Sequence, residues 1–207
     1  MRSIALALLS LAFLLLSGTR THLDFLEPEE SLYAIIPRDM LIAGEFVVPV
    51  LRGEPYLDKP PLLCWAVIGS YQLFGVNVVA ARLVPVAAAW LTVVVVWLWG
   101  RACGGPMPRL VAAGVLPFTG DFVYRGPMLT PNGLLALFTT AGLACGRYAL
   151  RQERIHIGWW IVSACATGFA VLTKGPVAIV PVATPLFALP VKRHGVRWRS
   201  AVAGVTH

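Results

Sequence analysis

Apolar residues gather in long runs at 4–19, 79–100, 109–124, 132–149, 158–173 and 176–191, and one longer polar stretch occupies 20–78. A helix needs ~20 apolar residues to cross a bilayer, with ~17 the usual lower limit. The pattern predicts an all-α, polytopic membrane protein with about six transmembrane helices, whose number is better defined than their ends. Taken as one helix, residues 158–191 would measure ~51 Å, too long for a ~30 Å core, and would place Lys174 at the centre. A hairpin turning at Lys174-Gly175-Pro176 resolves both problems.

The polar stretch carries its own helical pattern. Leu32, Ile35, Ile36, Met40 and Leu41 fall on one side of residues 29–43, with Pro37 interrupting. This predicts a kinked amphipathic helix lying on the membrane. Residues 62–74 predict a second apolar helix, with Trp65 and Tyr71 suited to an interface. Gly53, Pro55, Pro60 and Pro61 mark the turn between them. Arg125-Gly126-Pro127-Met128-Leu129-Thr130-Pro131 forms a turn before the 132–149 run, where Thr130 or Asn132 is placed to cap the helix.

Charge supplies an orientation. With the N-terminus inside, Arg2, Arg101, Arg109, Arg147, Arg151, Arg154, Lys192, Arg193, Arg197 and Arg199 face inward, against the single acid Glu153. The other nine of the ten acids face outward. Short basic loops inside are what the positive-inside rule requires. The net charge of +7 therefore reflects orientation rather than a nucleic-acid partner, since no basic block is interleaved with aromatics. With 57% hydrophobic and 13% charged residues and a mean hydropathy of +0.74, the chain lies outside the range of soluble domains. The first run, Arg2 followed by an apolar core and Ser17-Gly18-Thr19, has no clear small-x-small cleavage site and reads as a retained span. Residues 201–207 read as the start of a further, truncated span.

Cys64, Cys103, Cys145 and Cys165 are scattered and read as small buried hydrophobes. His22, His156, His194 and His207 form no ligand pair, and no glycine-rich phosphate loop points to a nucleotide cofactor. The candidate chemistry lies in the outer segments. Glu29 and Glu30 begin a helix with Tyr33 on the same face. Carboxylates there can deprotonate a hydroxyl or hold a divalent metal, or serve only the helix macrodipole. Asp58-Lys59-Pro60-Pro61 fixes a charged pair at a rigid turn, which reads as a phosphate contact or as a surface ion pair. Lys174, near membrane depth, calls for an anion, or else snorkels to the headgroups. Arg82 and Arg125 read as headgroup contacts.

At these residues a resemblance becomes specific. Glu29-Glu30-Ser31-Leu32-Tyr33-Ala34, then Arg38-Asp39-Met40, resembles the Asp-Glu-x-x-Tyr-Ala and Arg-x-Met opening of membrane glycosyltransferases of the GT-C class, in the protein O-mannosyltransferase and aminoarabinose transferase superfamily. Pro49 to Pro61, with Gly53, Pro55-Tyr56 and Asp58-Lys59-Pro60-Pro61, is similar to that family's next segment. Leu73-Phe74-Gly75, Ala80-Ala81-Arg82-Leu83 and Leu172-Thr173-Lys174-Gly175-Pro176 continue the match in order.

The resemblance implies transfer of a sugar from a polyprenyl-phosphate donor to a lipid, glycan or protein acceptor, by inverting displacement at the outer face of the inner or plasma membrane. It implies Glu29 as base, Glu30 as its support or a metal ligand, and Lys59 and Lys174 as holders of the donor phosphate. Tyr33 and Arg38 would line the site, and Asp58 would orient Lys59 or join Glu30 on a divalent metal ion. There are departures. Glu29 replaces the usual Asp, and Pro37 a small residue. Pro127 and Asn132 stand at the family's Arg and Asp places in the turn before the 132–149 run, which weakens an acid–base or metal role there. The alternatives are a non-catalytic polyprenyl-phosphate carrier and a structural membrane subunit.

Overall fold

The structure is a computed structural model that describes residues 28–100, 106–150 and 156–193. The expected span at 4–19, the segments 101–105 and 151–155, the basic loop beyond residue 193 and the expected span from 201 lie outside the described residues.

Helix α1 (Pro28–Ala43) leads into a hairpin of β1 (Val50–Leu51) and β2 (Glu54–Pro55), then α2 (Leu62–Phe74) and α3 (Val78–Gly100). Next come α4 (Pro106–Val115), a 3₁₀ turn (Leu116–Phe118), α5 (Gly120–Arg125), α6 (Pro131–Ala149) and α7 (Ile157–Lys174). A second 3₁₀ turn (Pro176–Ala178) opens α8 (Ile179–Arg193). Among the described residues α3 and α7 are long and apolar enough to cross a bilayer. They present Leu91, Leu98, Trp160, Ile161 and Phe169 outward, side chains that a lipid phase would cover.

The breaks follow from local chemistry. Gly75 ends α2 at φ 80, and the Asn77 carboxamide then accepts the Ala80 N–H at 2.8 Å, capping α3. The expected hairpin at Lys174-Gly175-Pro176 is present. Gly175 has φ 86 and ψ −169, a region essentially reserved for glycine. The run at 109–124 is not one helix but three short pieces. Thr119 is extended between the 3₁₀ turn and α5, and Pro117 removes a backbone donor within it. Thr130 stands at the N-cap of α6 without a capping side-chain bond.

Helix α6 packs between α3 and α7, and α2 joins α1 to α3. A core cluster spans four of these helices, with Tyr33 and Ala34 from α1, Val67 and Tyr71 from α2, Ala81 and Ala88 from α3, and Leu134 and Leu137 from α6. Beside and within it, the Ser70 hydroxyl donates to the Ala80 carbonyl at 2.6 Å and the Tyr71 hydroxyl to that of Ala34 at 3.2 Å. Helix α1 therefore does not lie on a membrane by its apolar side. Ile36, Pro37 and Met40 are buried, and Ile36 and Met40 pack with Cys64 and Ile68 of α2. The small hairpin was unforeseen; its two-residue loop puts Arg52 and Gly53 at φ 54 and 88, the primed-turn conformation that matches strand twist. Cys64 is buried as expected, but Cys165 is exposed.

Candidate functional site

The two acids of α1 separate at once. Consecutive helical residues are ~100° apart, so when one faces the core its neighbour faces away. Glu30 is the inward one, fully buried. It receives the Arg82 guanidinium at 3.1 Å and the Leu129 N–H at 2.8 Å. One carboxylate thus binds α1 to α3 and to the turn before α6. Arg82, expected at the headgroups, is instead 3% exposed in its side chain. Desolvating an arginine is costly unless a counter-charge accompanies it, and Glu30 provides one. Arg125 likewise pairs with a protein carboxylate, Asp121 at 2.8 Å.

Glu29 is exposed at the helix start, and its charge acts on Tyr33 and Lys59. Tyr33, one turn on, is pushed up to about 12, chiefly by burial and then by Tyr56, Glu29 and Asp58. It is a neutral phenol throughout the physiological range. Tyr33 forms one wall of an open cleft of about 270 Å³, solvent-open space included. Tyr56, Lys59, Cys64, Pro131 and Thr173 share the lining. Burial pushes the Cys64 thiol up to about 11, so it is no thiolate nucleophile.

The 56–61 turn supplies the charge at this cleft. Asp58 Oδ2 accepts from Lys59 Nζ at 3.0 Å and from the Tyr56 hydroxyl at 3.2 Å. Those two hydrogen bonds hold the Asp58 carboxyl below its ordinary value, and the bond to Asp58 holds the Lys59 ammonium above its own. Asp58 is exposed, and Lys59 is half-buried. Pro60 and Pro61 follow directly, so the ammonium is held by a stiff backbone.

Lys174 ends α7 and donates to Asn132 Oδ1 at 2.8 Å. The residues just before them, Thr173 and Pro131, line the cleft, whereas Lys174 and Asn132 do not. Arg38 does not line this cleft. It pairs with Asp39 at 3.0 Å, and the other Asp39 oxygen accepts the Arg52 N–H at 2.9 Å, bracing the hairpin loop.

The metal expectation finds no support in this arrangement. The Glu30 oxygens face Arg82 and the Leu129 N–H, and Asp58 is held by Lys59 and Tyr56. Among the described residues no three His, Cys, Asp or Glu side chains gather as a metal site.

A family profile described as dolichyl-phosphate-mannose-protein mannosyltransferase matches residues 58–206. The chain belongs to this family. An undecaprenyl phosphate-alpha-4-amino-4-deoxy-L-arabinose arabinosyl transferase of Edwardsiella ictaluri is 32% identical over 180 residues, covering 84% of this chain and 32% of that protein. An uncharacterized protein of Aquifex aeolicus is 31% identical over 154 residues, covering 74% and 30%. The chain thus spans about a third of the length of the curated relatives it matches. The crystal structure of ArnT from Cupriavidus metallidurans bound to undecaprenyl phosphate superposes with a TM-score of 0.76 at 23% identity, over 95% of this chain and 37% of that one. Its apo state gives 0.76 at 25% identity, over 95% and 36%.

Of the residues named from the sequence, Tyr33 and Lys59 line the cleft, whereas Glu29, Glu30, Arg38, Asp58 and Lys174 do not. Sequence reasoning missed Tyr56 and Thr173 as lining residues, although both lie inside the recognised motifs, Tyr56 two residues before Asp58 and Thr173 directly before Lys174. It also missed the Glu30–Arg82 pair, for which alternating burial along α1 was the available signal.

Proposed function

We propose that this chain carries the donor-lipid site of a polyprenyl-phosphate-dependent glycosyltransferase, multi-pass in the inner or plasma membrane with the cleft facing outward. The helical runs at 79–100, 132–149, 158–173 and 176–191 cross the bilayer, with the broken 109–124 segment and an N-terminal span making six. The observation that supports the proposal is one cleft lined by the neutral Tyr33, by Tyr56 and by Lys59, whose ammonium is paired with Asp58, with the charge of Glu29 acting on both Tyr33 and Lys59. The family match and the names of the relatives support the choice of donor.

In the proposed reaction Glu29 removes the proton from an acceptor hydroxyl. That oxygen attacks the anomeric carbon opposite the phosphate, the carbon–oxygen bond to phosphate breaks, and polyprenyl phosphate leaves with the bonding electrons. Lys59 and Lys174 stabilise the charge that develops on the leaving phosphate. Tyr33, unable to ionise near neutrality, lends its phenol as a donor without adding negative charge. No step runs through a metal or a nucleotide cofactor. Glu30 belongs to the frame that aims Glu29. A lipid carrier would need the two lysines but has no use for an exposed carboxylate beside them.

Photo-crosslinking of a diazirine-bearing polyprenyl phosphate to the chain in membranes tests the site. Labelling of the outer segments that falls in both Lys59→Ala and Lys174→Ala supports it. Labelling indifferent to both lysines refutes it.

A further inference from the structure

The hairpin builds one side of the cleft. Pro49 and Tyr56, at its open end, both line the cleft, and the Tyr56 N–H donates to the Pro49 carbonyl at 2.7 Å to close the ladder. Val50, Leu51 and Tyr56 pack against Ile36, Met40, Cys64 and Ile68, so the open end rests on α1 and α2. The tip does not share that support. Arg52 and Gly53 are exposed, and a Cβ built at Gly53 would meet no atom within 4 Å. Arg52 also stands at φ 54, a place where primed turns favour Asn, Asp or Gly. An arginine there is strained, and such a backbone persists where its surroundings hold it.

Asp39 supplies that hold. Its side chain is 13% exposed, and its two oxygens are divided between partners. Oδ2 accepts the Arg52 N–H at 2.9 Å, and Oδ1 accepts from the Arg38 guanidinium at 3.0 Å. The Arg52 N–H first, and the Arg38 guanidinium after it, hold the Asp39 carboxyl below its ordinary value against the opposing effect of burial. Asp39 does not line the cleft, but Tyr33, one of the cleft walls, lies on the same helix. A bond from Asp39 to the hairpin tip therefore ties one wall of the cleft to the helix that carries another.

We propose that Asp39 is a positioning residue for the transfer reaction: it pins the hairpin tip to α1 and so sets how far the Pro49–Tyr56 wall stands from Tyr33. This rests on the donor-site reading above, and it concerns the shape of the cleft rather than a contact with the donor.

Two readouts on the full chain in nanodiscs separate closure of the hairpin from its placement. Amide hydrogen exchange at Tyr56 reports whether the ladder is closed. Capture of the diazirine-bearing polyprenyl phosphate reports whether the wall is in place. Asp39→Ala is expected to raise exchange at Tyr56 by about tenfold or more, the equivalent of one hydrogen bond to a charged group, and to lower capture severalfold. Asp39→Asn, which keeps an acceptor for the Arg52 N–H, retains most of both. The deciding variant combines Asp39→Ala with Arg52→Asn. Asn-Gly closes a primed turn by itself, so exchange at Tyr56 returns towards the parental rate while capture stays low, because the tip is still untied from α1. Capture restored together with the ladder makes Asp39 a support of the turn only and overturns the inference. Parental exchange and capture in Asp39→Ala overturn it as well. In both cases, capture by the parent that still falls in Lys59→Ala leaves the donor site standing. No capture by the parent overturns the donor site and, with it, the role given to Asp39.

Discussion

Glu30 and Arg82 offer the sharpest energetic test, because both side chains are almost wholly out of water, at 0% and 3% exposure, and 3.1 Å apart. Glu30→Gln keeps the shape and an acceptor oxygen for the Leu129 N–H but strips Arg82 of the Glu30 counter-charge. Breaking a buried pair from one side costs about 3–5 kcal/mol, because a desolvated charge is left behind. Glu30→Ala also orphans the Leu129 N–H and adds about 1–3 kcal/mol. Arg82→Met on its own strands the carboxylate. In combination with Glu30→Gln it leaves no buried charge, so the double variant should be more stable than either charge-stranding single. The order of stability is therefore parent, then Glu30→Gln with Arg82→Met, then Glu30→Gln alone, then Glu30→Ala. Unfolding in mixed micelles, followed by the fluorescence of the chain's seven tryptophans, reads the differences. At 1.4 kcal/mol per tenfold, the Gln variant should shift the unfolding equilibrium by more than a hundredfold. A Gln variant within about 1 kcal/mol of the parent, or a double variant as unstable as the sum of the singles, would refute a frame built on this pair.

Three further outcomes follow from the same geometry. Glu29→Gln, placed in a complete transferase, should lower turnover by about 10²–10⁴ with membrane insertion intact, the range for loss of a general base; full transfer activity in that variant removes Glu29 from the reaction. Tyr33 should ionise near 12 rather than 10.0 in an ultraviolet titration that subtracts Tyr33→Phe. Its folded value is the higher one, so its contribution to stability is intact below pH about 10 and is lost as pH rises towards 12; a normal phenol titration contradicts its burial in the cleft wall. Gly175→Ala forces a side chain to φ 86 and ψ −169, which should cost about 1–3 kcal/mol and weaken capture of the polyprenyl-phosphate probe through Lys174. Parental stability and capture in that variant would mean the turn is not under this constraint.

The helical elements were legible because lipid exposure writes them as long apolar runs, and because glycine and proline end them at Gly75 and Gly175. The run at 109–124 misled for the same reason. Hydropathy averages over Pro117 and Thr119, whereas a helix cannot ignore a missing donor followed by an extended residue. The Arg52-Gly53 turn was readable as a turn but not as a hairpin, since strands of two residues carry no periodicity. At the site, local spacing gave the residues that share a turn of chain, Glu29 with Tyr33 and Asp58 with Lys59. It could not give pairs 42, 52 and 99 residues apart, Lys174 with Asn132, Arg82 with Glu30, and the Leu129 N–H with Glu30.

Those distant pairs divide the charged residues into two kinds of work. Adjacent acids on one helix cannot both face a substrate and both face the core, because the ~100° step sends them to different sides. Glu30 turns inward and fixes the angle of α1 against α3; that angle leaves Glu29 in the open beside Tyr33 and Lys59. In the proposed reaction, the first of the two consecutive carboxylates reacts and the second aims it. The prediction separating the two roles is kinetic. In a complete transferase, Glu29→Asp should retain chemistry with a lowered kcat, since the family's usual residue at that place is the shorter acid. Glu30→Asp, one methylene short of Arg82 and the Leu129 N–H, should lower stability and kcat together, and Glu30→Asp with its activity and stability both intact would return Glu30 to the role of a second, interchangeable acid.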